Sequence, residues 1–329
     1  MSITIIRQCL RILAFTALTA LVIPANADDM KVWRHGIVEA KSDAGIVFMA
    51  SKGGFAEKQG LTIEIKQFKG DTLALKALLA EELDSYEGNP GSPIIAASRG
   101  ADIKLLGCYW PGLTYAIYSK TSINSVADLK GKTFAISAPG ALPDLVARAI
   151  LAQNNLPATD VKFTVMGSDA DRFKALAAGI VDAAAASSGF APAAQKAGVK
   201  MLVNAIEAVP NYVRFCIYSS EKTLAARTDE AARFLAAEMA GFSHALGNRD
   251  QTIALTREIT HAKPDDPLPA FTYDEVKRYS AVDPKMPIPM NKLTWLRDLL
   301  VTTGNLTKPV DLDKFVDADI RTKALQITK

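Results

Sequence analysis

Apolar and polar positions follow two rhythms along this chain. Val32 to Glu39, Ile63 to Phe68, Thr133 to Ser137 and Val161 to Val165 alternate with a period of two, as half-buried strands do, and Ile103 to Leu106 and Met201 to Val203 are shorter apolar strands. Between them, Ile46 to Gln59 and the stretches opening at Lys76 and Lys174 read as helices. A further helix runs up to Gln153, with Pro143 in its first turn. Strands alternating with helices of about 10 to 15 residues specify right-handed crossovers and parallel sheets.

The same unit occurs twice. Lys76-Ala-Leu-Leu-Ala-Glu-Glu-Leu-Asp84 lines up with Lys174-Ala-Leu-Ala-Ala-Gly-Ile-Val-Asp182 at an offset of 98 residues, and the match continues through Gly91 with Gly189, Ala96 with Ala194 and Gly100 with Gly198. Each copy repeats the order strand, glycine turn, helix, Asp-led strand, small-residue loop, helix and strand. Two sheets are therefore expected, one per copy. Thr114 to Lys120 and Tyr212 to Ser219 are extended segments bracketing the second copy, as a hinge with two crossings requires. Beyond Glu221 the pattern is mostly helical: Asp229 to Leu246, Tyr273 to Ser280 and Met290 to Thr303, broken by Pro264 to Pro269 and by Asp283 to Pro289. This tail is expected to pack on the first lobe.

Composition narrows the class. With 329 residues, 49% hydrophobic and 22% charged, the chain has ample core for two domains, which excludes disorder and small disulfide scaffolds. Residues 1–27 read as a secretory signal: Arg7 and Arg11, an apolar run from Ile12 to Ile23, then Ala25-Asn26-Ala27, with cleavage expected after Ala27. The run falls short of the roughly 20 residues that cross a bilayer. Losing Arg7 and Arg11 reduces the net charge from +3 to +1, so neither a nucleic-acid partner nor a polybasic membrane anchor is expected. Cys108 and Cys216 then remain, either as a disulfide or as two buried thiols; their spacing does not decide. His35, His244 and His261 are scattered, with no HExxH and no CxxC, so no metal or cofactor is expected.

Three stretches carry a family resemblance: Gly53-Gly-Phe-Ala-Glu-Lys-Gln-Gly-Leu61, Ser122-Ile-Asn-Ser-Val-Ala-Asp-Leu-Lys-Gly-Lys132 and Ala177-Ala-Gly-Ile-Val-Asp-Ala183. They resemble periplasmic solute-binding proteins of nitrate/sulfonate/taurine-type ABC transporters, grouped with the thiamine-precursor (NMT1/THI5-like) proteins. The resemblance implies an α/β, two-lobed periplasmic-binding-protein fold of type II, each lobe a mainly parallel sheet flanked by helices. Lobe one would hold 28–115 and 218–329, and lobe two 116–217. It further implies a monomer that passes a small-molecule ligand to an ABC permease and ATPase complex.

Ligands of open parallel sheets bind beyond the carboxyl ends of the strands. On the first copy this selects Ser42 and Asp43, with Asp43 equally readable as a helix cap, and Glu87 and Asn89. Glu87 departs from the family pattern; facing the cleft it would disfavour sulfonate or nitrate, and otherwise it joins a salt bridge. On the second copy, Ser137, Gly140 and Ala141 approach a helix N-terminus suited to an anionic group, and Ser168 and Ser188 offer hydroxyls. Near the hinge, Trp110 and Tyr212 adjoin turn prolines and Arg214 could grip a carboxylate, with core packing as the alternative for the aromatics. This mixture favours a small organic acid or a planar heteroaromatic ligand.

Two other readings use the same fold. One is a thiamine-precursor enzyme, whose cysteine-rich CCCFC-like signature does not occur here, and no GxSxG or phosphate loop occurs either. The other is a ligand sensor not coupled to import. Binding without catalysis is the expectation.

Overall fold

A computed structural model describes residues 30–328; the expected signal segment and its cleavage point lie outside them. Ten strands form two five-stranded sheets: β1 (Lys31–Val38), β2 (Leu61–Phe68), β3 (Ser85–Gly88), β4 (Lys104–Trp110), β5 (Tyr115–Lys120), β6 (Thr133–Ile136), β7 (Lys162–Val165), β8 (Ala183–Ser187), β9 (Val199–Asn204) and β10 (Phe215–Ser219). The orders are β2-β1-β3-β10-β4 and β7-β6-β8-β5-β9, so the two sheets share one topology. Pairs β1/β2, β1/β3, β6/β7 and β6/β8 are parallel, as the repeat predicts.

Each sheet is mainly parallel, as expected, with one strand running against the others. β10 runs antiparallel between β3 and β4, and β5 antiparallel between β8 and β9. Each extended segment flanking the second copy is therefore a strand wedged into the sheet that it enters, and the crossings shrink to the residues before it. Phe215 to Ile217 consequently belong to the first sheet and Tyr115 to the second, which shifts the boundaries drawn at 115 and 217 by a few residues.

Each sheet is covered on both faces, as βαβ crossovers demand. On one side of the first sheet Trp33 and His35, two residues apart on β1, both meet Phe234, at 5.2 and 5.0 Å between ring centroids. Both also hydrogen-bond Ser85 Oγ at 2.8 Å, and burial drives His35 down to a pKa of about 3, so it is neutral. On the other side Leu75, Leu78, Tyr86 and Ile94 are buried. The expected Ile46 to Gln59 helix is three short ones, Ala44–Val47, Met49–Lys52 and Phe55–Lys58. Gly54, at φ 79°, breaks the last two apart.

In the tail, Thr228–Gly247 packs on β1, β2 and the Ala318–Ile327 helix, and two helices beyond the sequence reading appear, Arg249–Thr260 and Ala318–Ile327. Pro269, expected to break a helix, instead opens Leu268–Arg278, where a missing N–H costs nothing. Leu268–Arg278 and Met290–Thr302 also reach the second lobe. From the latter, Lys292 Nζ donates to Pro111 O and Pro210 O, both at 2.9 Å, tying the two crossings together.

Cys108 on β4 and Cys216 on β10 are bonded to each other, which resolves the two readings left open by their spacing. The whole second lobe hangs between them. Closing a loop of this size removes much of the unfolded chain's freedom, so Cys108→Ser with Cys216→Ser should lower unfolding stability by about 2–5 kcal/mol. Urea titration should show that loss, and reductant should reproduce it in the native chain; an unchanged midpoint would contradict it.

Candidate functional site

Between the lobes, beyond the carboxyl ends of the parallel strands, lies a cavity of about 50 Å³. That holds only a few water molecules. Lobe one contributes Val38, Glu39, Lys41, Lys69, Gly70, Asp71 and Asn89; lobe two contributes Tyr115, Ser137, Ala141 to Pro143 and Gly167 to Asp169, with Arg172. Arg214 and Phe215 come from the second crossing and β10. A larger depression near Asp102, Lys104 and Lys308 is formed by the first lobe alone.

Lys41 spans the cleft. Its Nζ donates to Asp169 Oδ2 at 2.8 Å, joining lobe one to lobe two. Asp169 opens the Asp169–Ala177 helix, where an acid also complements the helix dipole. Its other oxygen accepts from Tyr115 OH at 2.7 Å and from Arg172, whose Nη2 also donates to Tyr115 OH. Burial pushes the Asp169 carboxyl up, but Lys41 and Arg172 outweigh it and hold the group well below the usual carboxylate range.

At the floor, Arg214 is buried. It donates to Thr114 Oγ1 at 2.8 Å and Asp43 Oδ2 at 2.7 Å, and its guanidinium lies 4.3 Å from the centre of the Trp110 ring. Asp43 thus holds the N-cap position of Ala44–Val47 by its backbone, but its side chain makes no cap bond and is paired with Arg214. Arg214 reaches the cavity with two nitrogens already engaged.

The other sequence candidates divide. Asn89, Ser137, Ala141, Ser168 and Arg214 line the cavity. Ser42, Trp110, Gly140, Ser188 and Tyr212 do not. Ser42 Oγ accepts from Thr272 Oγ1 at 2.8 Å, and Ser188 Oγ donates to Glu275, so both close the cleft rim against Leu268–Arg278. Tyr212 OH donates to Asn89 Oδ1 at 3.3 Å, and Trp110 is buried beneath Arg214. Gly140 gives its N–H to Asp144 Oδ2 at 2.8 Å, while Ala141 gives its own to Ala138 O. The helix that they precede thus carries its own acid, and the expected anion seat is largely occupied. Ser168 is committed to a capping box with Asp171.

Glu87 turns away from this cavity into a small adjoining one lined by Asp43, Val47 and Phe48. Tyr109 OH donates to its Oε2. Burial pushes its carboxyl up to about 8, only partly offset by that hydrogen bond, so it is largely protonated at neutral pH. It forms none of the described salt bridges, and the repulsion argument built on it does not apply to the cavity.

Sequence reasoning missed Lys41, Asp71, Tyr115, Asp169 and Arg172. The repeat held a signal for two of them: Asp71 and Asp169 are themselves 98 residues apart, each opening a nine-residue helix. Among the described residues, no helix is long and apolar enough to cross a membrane and no group of His, Cys, Asp and Glu is arranged to hold a metal.

The family model described as NMT1/THI5 like matches residues 41–252. A Brucella abortus (strain 2308) protein that carries the provisional name of a binding protein is 30% identical over 150 residues; the match spans 46% of this chain and 46%, about half, of that relative. Among solved structures, the alkanesulfonate-binding protein SsuA from Xanthomonas axonopodis pv. citri, bound to MOPS, superposes with a TM-score of 0.74 at 19% identity. The superposition covers 88% of this chain and 99% of that one. The desulfurization enzyme DSZB gives 0.61 at 16% identity, over 91% and 100%. At these identities the likeness is one of fold: two lobes, two mixed sheets flanked by helices, as in periplasmic binding proteins.

Glu87 supplies a test through pH. Its folded pKa of about 8 lies above the ordinary 4.5, so the folded chain holds a proton that the unfolded chain releases. Stability should therefore decline as pH rises from about 4.5 to about 8. Glu87→Gln keeps the acceptor for Tyr109 and should flatten that decline, with the largest gain in melting temperature near pH 8 to 9. Parallel melting curves for variant and native protein would count against the assignment.

Proposed function

The chain belongs to the NMT1/THI5-like family, and from that premise we propose that it is the extracytoplasmic solute-binding protein of an ABC importer. It captures a small organic acid or planar heteroaromatic ligand between its lobes and delivers it to the permease and ATPase complex. Residues 1–27 export it, and it works as a monomer in the periplasm. The observation that carries this reading is the Lys41–Asp169 bridge. An ion pair that exists only when two lobes meet, over a cavity walled by both, is what a device that closes on a solute needs.

The chemistry of the cavity supports binding over turnover. Cys108 and Cys216 are bonded to each other and neither lines the cleft, so neither supplies a thiol nucleophile there. Lys41 and Asp169 are engaged as an ion pair, and Arg214 is engaged with Asp43.

Closure should respond to the bridge and to a ligand. Lys41→Gln leaves Asp169 paired with Arg172, so the fold should persist while the lobes part, raising the radius of gyration in small-angle scattering. An unchanged radius would mean that the bridge does not hold the lobes. A thermal-shift screen of carboxylates, sulfonates and heteroaromatics should yield a compound that raises the native melting temperature and compacts the Lys41→Gln variant. Conversion of any such compound on incubation would favour an enzyme instead.

A further inference from the structure

The internal repeat places equivalent acids on opposite walls of the cleft and treats them differently. Asp169 is met by Lys41, Arg172 and Tyr115. Its counterpart Asp71 opens the Asp71–Leu79 helix and lines the same cavity, yet neither carboxylate oxygen makes a well-formed hydrogen bond among the described residues; the Ser92 hydroxyl and the Asn89 N–H lie near without forming one, and both oxygens are sealed from solvent. The cause is legible in the repeat. Arg172 corresponds to Ala74, so the first lobe lacks the guanidinium that neutralises the second lobe's acid.

The site around Asp71 is nonetheless shaped to hold a carboxylate. Gly88 leaves the space in which the group sits; a Cβ there would overlap Asp71 Oδ1. Tyr86 and Tyr218, stacked at 5.2 Å, bury hydroxyls that also lack a partner among the described residues. Burial raises both phenols far above the ordinary value and the Asp71 charge adds to that, so they stay neutral. Asn89 shares the cavity wall; its Oδ1 accepts from Gly91 N–H and Tyr212 OH, while its amide nitrogen makes no hydrogen bond among the described residues. Val38, Phe215, Leu142 and Pro143 add apolar surface.

We propose that Asp71 is the specificity-determining residue of this cleft and accepts a hydrogen bond from an N–H group of the ligand, an amine, amidine or amino-substituted heterocycle. This rests on the solute-binding reading and deepens it. A buried carboxylate without a well-aligned donor destabilises the closed form, and a ligand that brings one removes that penalty only when the lobes close on it. Asp71 thereby links recognition to closure. A donor-free solute would leave the penalty in place. Consistent with this, burial pushes the Asp71 carboxyl up to about 7, although the Ser92 hydroxyl and the Asn89 N–H hold it down in part.

Three matched pairs test the inference on the full mature chain: β-alanine with propionate, taurine with ethanesulfonate, and 4-aminopyridine with 4-methylpyridine. Calorimetry should give at least one donor-bearing member a dissociation constant tenfold or more below that of its partner, and Asp71→Asn should erase the difference. Without added ligand, Asp71→Asn should melt higher than the native protein at pH 8, because it removes a buried charge that nothing neutralises. Equal or tighter binding of the donor-free members overturns the inference and leaves the solute-binding reading standing, as does a variant that keeps the tenfold preference. A lower melting temperature for Asp71→Asn would show the carboxylate to be structural and overturn it too. Binding by none of the six compounds, in a chain that also fails to respond to the wider screen, would remove both readings.

Discussion

One guanidinium taken out of water fixes the base of this cleft. Arg214 lies on the returning crossing, and a charge in that position must be paired and hydrogen-bonded or the fold cannot tolerate it. Its partners come from three places: Asp43 from the loop after β1, Thr114 from the outgoing crossing, and Trp110 at the end of β4. Satisfying one side chain therefore sets the relative positions of both crossings and the first ligand-side loop. Burial works against the charge of Arg214, and Asp43 and Asp169 together with Tyr109 more than restore it. Lys292 adds a second clamp from outside, on Pro111 and Pro210.

Above that base, the walls differ because a duplicated unit has been altered at a few positions. The second lobe satisfies its own acid, which leaves Asp169 able to receive Lys41 from the opposite wall as the lobes meet. The contribution of such a pair depends on desolvation and on geometry together, so it is an adjustable element of the contact between the lobes. The rim contacts Ser188–Glu275 and Ser42–Thr272 work in the same direction from the helical tail.

Much of the fold was legible in the sequence because period-two strands and the 98-residue repeat are local and additive signals. The antiparallel entry of β5 and β10 was not, since strand direction within a sheet is decided by long-range pairing that periodicity does not encode. The Arg249–Thr260 helix escaped notice because its apolar face is thin; Thr252, Ile253 and Thr256 are its buried residues. At the candidate site, sequence position led to the loops around Asn89, Ser137 and Ser168, which line the cavity. It could not tell which side chains are free, because Ser168, Gly140 and Asp43 are consumed by neighbours that only the fold supplies. Glu87 illustrates the same limit: one residue's alternation turned it from the cavity toward Tyr109. Acids at helix starts, such as Asp71 and Asp169, pass for ordinary dipole partners until the opposing wall is known.

The placement of β10 between β3 and β4 also dictates an order of assembly. As the chain grows from its N-terminus, β1 to β4 are complete long before residue 215 exists, yet β3 and β4 have no direct pairing and must leave a strand-wide slot between them. The second lobe, by contrast, has every one of its strands once β9 is made. The later lobe can therefore finish first, and the earlier one closes only when β10 arrives and Cys216 meets Cys108. In the folded chain that bond is in effect a completion mark, since it fastens the last sheet strand, β10, to its neighbour β4.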